Sequence, residues 1–143
     1  MKRLVEDRPS ILVVDDSDDL RNLLRYCFST DNYNILEAED GKRAIEIAQR
    51  ERPDLIVMDL RMPVLNGIAA TRRIRADPRV HHIPIVICTG LDPSLFREAA
   101  LSVGATDFIS KSIQVDDLRA LLSRYLLSPT VKPPHRQKKQ ISI

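Results

Sequence analysis

The sequence predicts an α/β fold, a parallel sheet covered by helices on both faces, and three observations carry that reading. Five short runs rich in Ile, Val and Leu recur along the chain, at 11–14, 33–38, 55–58, 84–88 and 106–109. Longer amphipathic segments separate them, and alternating strand and helix is the pattern of a parallel sheet with crossover helices. Polar residues of chemical interest stand directly behind four of the runs: Asp15-Asp16, Asp59, Thr89 and Lys111.

Each element follows from its residues. Ile11-Leu12-Val13-Val14 is apolar without a break, which suits a strand buried on both faces. Behind an Asp/Ser-rich start, Leu20, Leu23, Leu24, Cys27 and Phe28 recur at helical spacing, with Asp18 and Asp19 read as cap or turn residues. After the second run, Asp40 is a turn or cap residue before Gly41, and Ala44, Ile45 and Ala48 mark the second helix. Leu55-Ile56-Val57-Met58 is the third strand, and Ile68, Ala69, Thr71 and Ile74 follow Gly67 as the third helix. Asp77-Pro78 ends that helix, because the residue before proline avoids the α region. Asp92-Pro93 offers the fourth helix a cap and a first-turn proline, and Gly104 closes it. Leu118, Leu121, Leu122, Tyr125 and Leu126 form the clearest stripe of all, on the fifth helix.

The 143 residues amount to one domain, and 43% apolar with 29% charged content is ordinary for a globular protein. The formal charge of +2 is unevenly placed. Lys132, Arg136, Lys138 and Lys139 stand in an acid-free, proline-rich end, and the rest of the chain carries 18 basic against 20 acidic residues. The expected organisation is an N-terminal lead over 1–9, a folded domain over 10–127 and a flexible basic tail over 128–143. Direct DNA binding is not expected, since the tail lacks interleaved aromatics and only about 16 residues follow the last helix. Cys27 and Cys88 lie in apolar patterns without metal-type spacing and read as buried free thiols. No signal peptide opens the chain, and no apolar stretch approaches the ~20 residues that cross a membrane, so a cytoplasmic location is expected. His81-His82 precede a strand without Cys or Asp at metal spacing and read as a solvated loop.

The acids carry the functional argument. In open parallel sheets, ligands bind outside the carboxyl ends of the strands, near the point where strand order reverses. Asp15, Asp16 and Asp59 emerge there together, and clustered carboxylates repel. A shared divalent cation or protonation of one acid relieves that repulsion.

Taken in order, Asp15-Asp16, Asp59 with Met62-Pro63 and Gly67, Thr89-Gly90, and Asp107-Phe108-Ile109 with Lys111 closely resemble a bacterial response-regulator receiver domain. The resemblance covers about residues 10–127. It implies a flavodoxin-like, doubly wound sheet of five parallel strands in the order 2-1-3-4-5, with five helices. It also implies phosphorylation of Asp59 by a sensor histidine kinase or histidine phosphotransfer protein. Mg²⁺ would be held by Asp15, Asp16, Asp59 and the backbone carbonyl of Arg61, with Asp16 the more direct ligand and Asp15 acting through a water. Lys111 matches the cation that pairs with the phosphoryl group, and Thr89 the hydroxyl that bonds it. Phe108 matches the aromatic that swings inward in response. The implied readout face is 92–126, toward a downstream protein, in a monomer or a phosphorylation-dependent dimer in which Asp107 and Arg119 pair. Such a module catalyses its own phosphorylation and slow dephosphorylation and is not otherwise an enzyme.

Two departures stand out. Ser112 follows Lys111 where the family usually has proline, often after a cis bond; a cis bond to a non-proline costs ~2.5–4 kcal/mol, so a trans or strained link is expected. Arg61, two residues beyond Asp59, is large and cationic, and the resemblance places it over the path of attacking water, where it would tune phosphoryl lifetime. A metal-dependent aspartyl phosphohydrolase is disfavoured, because such enzymes need a carboxylate at position 61. The alternatives left open are an unphosphorylated pseudo-receiver that only binds partners, and a receiver cut from a larger regulator or hybrid kinase.

Overall fold

The computed structural model describes residues 8–28 and 33–127; the tail read over 128–143 and most of the lead over 1–9 lie outside the described residues. The chain alternates as expected: β1 (Ser10–Val14), α1 (Asp19–Cys27), β2 (Asn34–Ala38), α2 (Gly41–Glu51), β3 (Leu55–Met58), α3 (Gly67–Arg75), β4 (Ile85–Thr89), α4 (Pro93–Ser102), β5 (Asp107–Ser110) and α5 (Val115–Leu127). The strands form one parallel sheet in the order β2-β1-β3-β4-β5. Continuous apolar runs became the strands buried at every residue, β1, β3 and β4. β2 lies at the sheet edge and is half-buried, which explains why its run admits Glu37.

Because side chains alternate across a strand, each apolar run feeds two cores. Leu12, Val14, Ile56, Met58, Ile85, Ile87 and Phe108 face α2, α3 and α4, meeting Ala44, Ile47, Ala70, Ile74 and Ala100. Ile11, Val13, Leu55, Val57, Val86 and Cys88 face α1 and α5, meeting Leu20, Leu24, Leu118 and Leu122. Large side chains such as Ile11, Leu12, Leu24, Ile56, Met58 and Leu118 are less than 2% exposed, and burying each stabilises the fold by about 1.5–3 kcal/mol before chain entropy is counted. Both cysteines are free and buried, and burial pushes the Cys88 thiol up to about 12.

The helix ends follow local chemistry. Asp40, Asn66 and Asp92 cap α2, α3 and α4 by accepting the N–H groups of Arg43, Ala69 and Ser94. α3 stops at Arg75, two residues before Asp77-Pro78, and Gly104 at φ 109° turns the chain after α4. Asp18 occupies the cap position of α1, but its side chain makes no capping bond, because its backbone is near-helical (φ −82°, ψ −6°) and its carboxylate turns to Arg21. Asp15 serves that helix instead, accepting the Leu20 N–H at 3.0 Å. His81 and His82 sit in the α3–β4 turn, edge to face at 6.1 Å.

Candidate functional site

The order reverses between β1 and β3, and the loops leaving the carboxyl ends of β1, β3, β4 and β5 enclose a cleft of about 560 Å³. Asp16, Ser17, Asp59, Arg61, Thr89, Gly90 and Lys111 line it. Each is placed by the sheet. The Asp15 N–H donates to Ala38 O at 3.0 Å, the Asp59 N–H to Val14 O at 2.8 Å and the Lys111 N–H to Thr89 O at 2.8 Å. One carboxylate oxygen each from Asp15, Asp16 and Asp59 lies within 4.8 Å of the others. An all-oxygen donor set at that spacing fits a hard divalent cation such as Mg²⁺.

The three acids are not equivalent. Asp15 is fully buried and its oxygens are spoken for: Oδ1 accepts from the Ser17 amide and hydroxyl, and Oδ2 accepts from Leu20 N–H and from Lys111 Nζ at 3.2 Å. Burial by itself would raise its carboxyl; the two amides and Lys111 together hold it below the usual range. Asp59, 6% exposed, accepts Lys111 Nζ at 3.1 Å on Oδ2 and the Leu60 N–H at 2.7 Å on Oδ1. Burial pushes it above the usual range, against the pull of Lys111 and with the help of Asp15. Asp16 stands exposed at the cleft wall. Neighbouring acids of one residue type are thus separated by environment, as paired carboxylates with different tasks are. Burial would lower the Lys111 ammonium, but Asp59 and Asp15 outweigh it and raise it.

The rest of the constellation is near. Thr89, 1% exposed, accepts the Leu91 N–H at 3.3 Å, two residues along from Ile87, which pairs with Phe108. Phe108 is 3% exposed and already packed inward. Arg61 and Pro63 are exposed at the mouth. Gly67 is explained by a close approach: a Cβ there would lie 2.3 Å from Asp59 O, so only glycine lets α3 start against the backbone that carries the acid. Asp107 accepts from Tyr125 Oη at 3.2 Å within the chain, which gives that carboxylate an internal partner. No cis peptide bond occurs among the described residues, so Lys111–Ser112 is trans. Sequence reasoning missed Ser17 and Ser110 as supports; only their position beside Asp15 and Lys111 marks them.

An open α/β sheet with an acidic cleft at its switch point, one lysine spanning two buried acids, defines the class. The sequence model of the response regulator receiver domain matches residues 11–123, and the chain belongs to that family. It is 39% identical over 103 residues to the response regulator PleD of Caulobacter vibrioides, covering 72% of this chain and 23% of PleD. It is 34% identical over 120 residues to the sensor histidine kinase TmoS of Ectopseudomonas mendocina, covering 84% of this chain and 12% of TmoS. The chain therefore spans less than a quarter of the length of these relatives. Among solved structures, the receiver domain of sensor histidine kinase PA1611 from Pseudomonas aeruginosa, with magnesium in its active-site cleft, superposes with a TM-score of 0.77 at 32% identity, over 85% of this chain and 99% of that one. The chemotaxis regulator CheY4 of Vibrio cholerae gives 0.75 at 29%, over 83% and 99%. Among the described residues no helix is long and apolar enough to cross a membrane.

Proposed function

We propose that residues 10–127 act as a phosphoacceptor module in which Asp59 takes a phosphoryl group from a phosphohistidine on a kinase or histidine phosphotransfer protein. The observation that carries this reading is the buried Asp59 carboxylate, bonded to Lys111 at 3.1 Å, lining a cleft beside Asp16 and within reach of the buried Asp15. An Asp59 oxygen forms the new O–P bond while the P–N bond to the donor imidazole breaks, its electron pair leaving with the imidazole. Aspartate is a weak nucleophile, so the acceleration comes from positioning and from charge placed around the phosphoryl oxygens. Lys111 moves from its carboxylate partners to the incoming oxygens, a task suited to an ammonium on a flexible stem. The Thr89 hydroxyl donates to another of those oxygens. Asp15 aims Lys111 and anchors the loop, and Asp16, Asp59 and the Arg61 carbonyl, with Asp15 through a water, are the groups that would hold Mg²⁺. When bound, that ion neutralises charge developing on the phosphoryl oxygens.

Signal output follows from a local charge change biasing a two-state element. The 92–126 face is the reading for the downstream contact. α4 is its loosest part, with Ala100 as its buried residue and Leu95 left 70% exposed.

The test is incubation with acetyl phosphate and Mg²⁺, followed by intact mass. One phosphate adduct is expected, absent without Mg²⁺ and absent in Asp59→Asn; no adduct under any condition would favour a pseudo-receiver. Arg61 is exposed at the mouth of the cleft, and the resemblance places it over the path of water to a modified Asp59. Arg61→Ala is expected to change adduct lifetime about threefold, the scale of one exposed charge contact, and an unchanged decay rate removes that role.

A further inference from the structure

Lys111 has to leave the last rung of the sheet and still aim its ammonium at two acids. Where the family usually has proline next, Ser112 supplies an amide that needs an acceptor. Ser110 provides it. The Ser112 N–H donates to Ser110 Oγ at 3.2 Å, and the two hydroxyl oxygens lie 2.9 Å apart. The Ile113 N–H donates to Ser110 O at 3.1 Å, so Lys111 and Ser112 are the middle residues of a turn that Ser110 closes with both its side chain and its carbonyl. A serine hydroxyl accepting the amide two residues on is a local substitute for turn-forming backbone contacts.

Lys111 is therefore held from both sides. Its own N–H is fixed to Thr89 O at 2.8 Å, and the residues flanking it are bonded to each other. That fixes the direction in which its stem leaves the backbone. From there Nζ meets Asp15 at 3.2 Å and Asp59 at 3.1 Å. Proline would stiffen the turn through its ring; here the bond from the Ser112 N–H to the Ser110 hydroxyl stiffens it.

We propose that Ser110 is a positioning residue for Lys111, its hydroxyl holding the turn that aims the ammonium at Asp59 in place of the family's proline. This rests on the reading of Asp59 as phosphoacceptor. Ser110 is not among the residues lining the cleft, so it acts through Lys111 and touches no reacting atom.

The test uses the full chain with phosphoramidate and Mg²⁺, following the adduct by intact mass. Ser110→Ala is expected to slow the maximal rate about fivefold, the size of one neutral hydrogen bond, with half-saturating phosphoramidate and Mg²⁺ and the thermal midpoint unchanged. Ser110→Thr keeps the hydroxyl and is expected to restore the rate. Ser112→Ala keeps the amide and is expected to stay within about twofold of the unaltered chain. The Ser112 amide should exchange hydrogen faster in Ser110→Ala and not in Ser110→Thr. A Ser110→Ala chain at the unaltered rate, or a slow one that Thr does not rescue, overturns the proposal. If the unaltered chain takes no phosphate at all, the Asp59 reading fails, and an exchange rate unmoved by Ser110→Ala still overturns the Ser110 contact by itself.

Discussion

The two edges of the sheet handle buried charge in opposite ways. At the amino edge, Arg75 at the end of α3 donates to Gly104 O at 2.7 Å, His81 O at 2.9 Å, Ile83 O at 2.6 Å and Thr106 Oγ1 at 3.2 Å. Nearby, Asp54 accepts the Ser10 N–H at 2.8 Å. Except for the Thr106 hydroxyl, these partners are main-chain groups, which neither titrate nor move independently. At the carboxyl edge, Asp15, Asp59 and Lys111 satisfy one another beside an open cleft. Charge matched by backbone is structural. Charge matched by another mobile charge can be exchanged for a ligand, and that is what makes one edge a site.

The largest effect expected at the carboxyl edge is Asp59→Asn, which should lose the adduct completely while the fold gains stability. Burial raises the folded carboxyl above its ordinary value of 3.8, so the native state binds the proton more tightly than the unfolded chain does. Stability then falls as pH rises from the unfolded value through the folded one. The asparagine variant escapes that loss. In metal-free buffer its advantage in urea melts should grow across this window and level off above it; a variant less stable than the unaltered chain at neutral pH would show that Asp59 is a structural anchor like those of the other edge.

Arg75→Ala should do the reverse. It strips four acceptors of a charged donor, and bonds to charged groups contribute about 1.5–3 kcal/mol each before the truncated site rehydrates. A net loss of about 3 kcal/mol in urea melts is expected, with the phosphorylation rate of the folded chain unchanged. A slowed rate at full folding would mean that the two edges are coupled and the contrast between them fails.

This contrast also separates what the sequence disclosed from what it hid. The strands were legible because β1, β3 and β4 carry unbroken apolar runs of four residues, and the site was legible because its acids, Thr89 and Lys111 stand at strand ends. Those are short-range facts. The unequal roles of Asp15 and Asp16 came only from the resemblance, since nothing in two adjacent identical residues says which one the loop after β1 buries. The capping of α1 by Asp15 rather than Asp18 depends on a backbone angle. Arg75 is one of three basic residues in the last turn of α3, and its partial burial arises only when the loops before β4 and β5 close over it. Gly67 was visible as a glycine, but its reason, Asp59 O at 2.3 Å from a would-be Cβ, is tertiary.

The smallest effect tests whether strain belongs to the site. Where the amino edge needs a left-handed turn after α4 it has Gly104, and at the end of α2 the unbranched Arg52 takes φ 49°. The carboxyl edge instead holds the β-branched Val64 at φ 69°, five residues past Asp59 and 75% exposed. A β-branched side chain at positive φ costs roughly 1–2 kcal/mol, and here Val64 centres a tight turn in which the Leu65 N–H donates to Pro63 O at 2.7 Å, a shape that glycine enters without that cost. Little apolar burial is lost on exchange, so Val64→Gly should stabilise the fold by about 0.5–1 kcal/mol in urea melts, the relief of strain less the extra chain entropy of glycine. Because Pro63, next in the chain, lines the cleft, relaxing this turn also reaches the rim of the site. The gain is expected together with a slower rate of adduct formation, which would assign the strain to the site; a gain with no change in rate would make Val64 incidental to it.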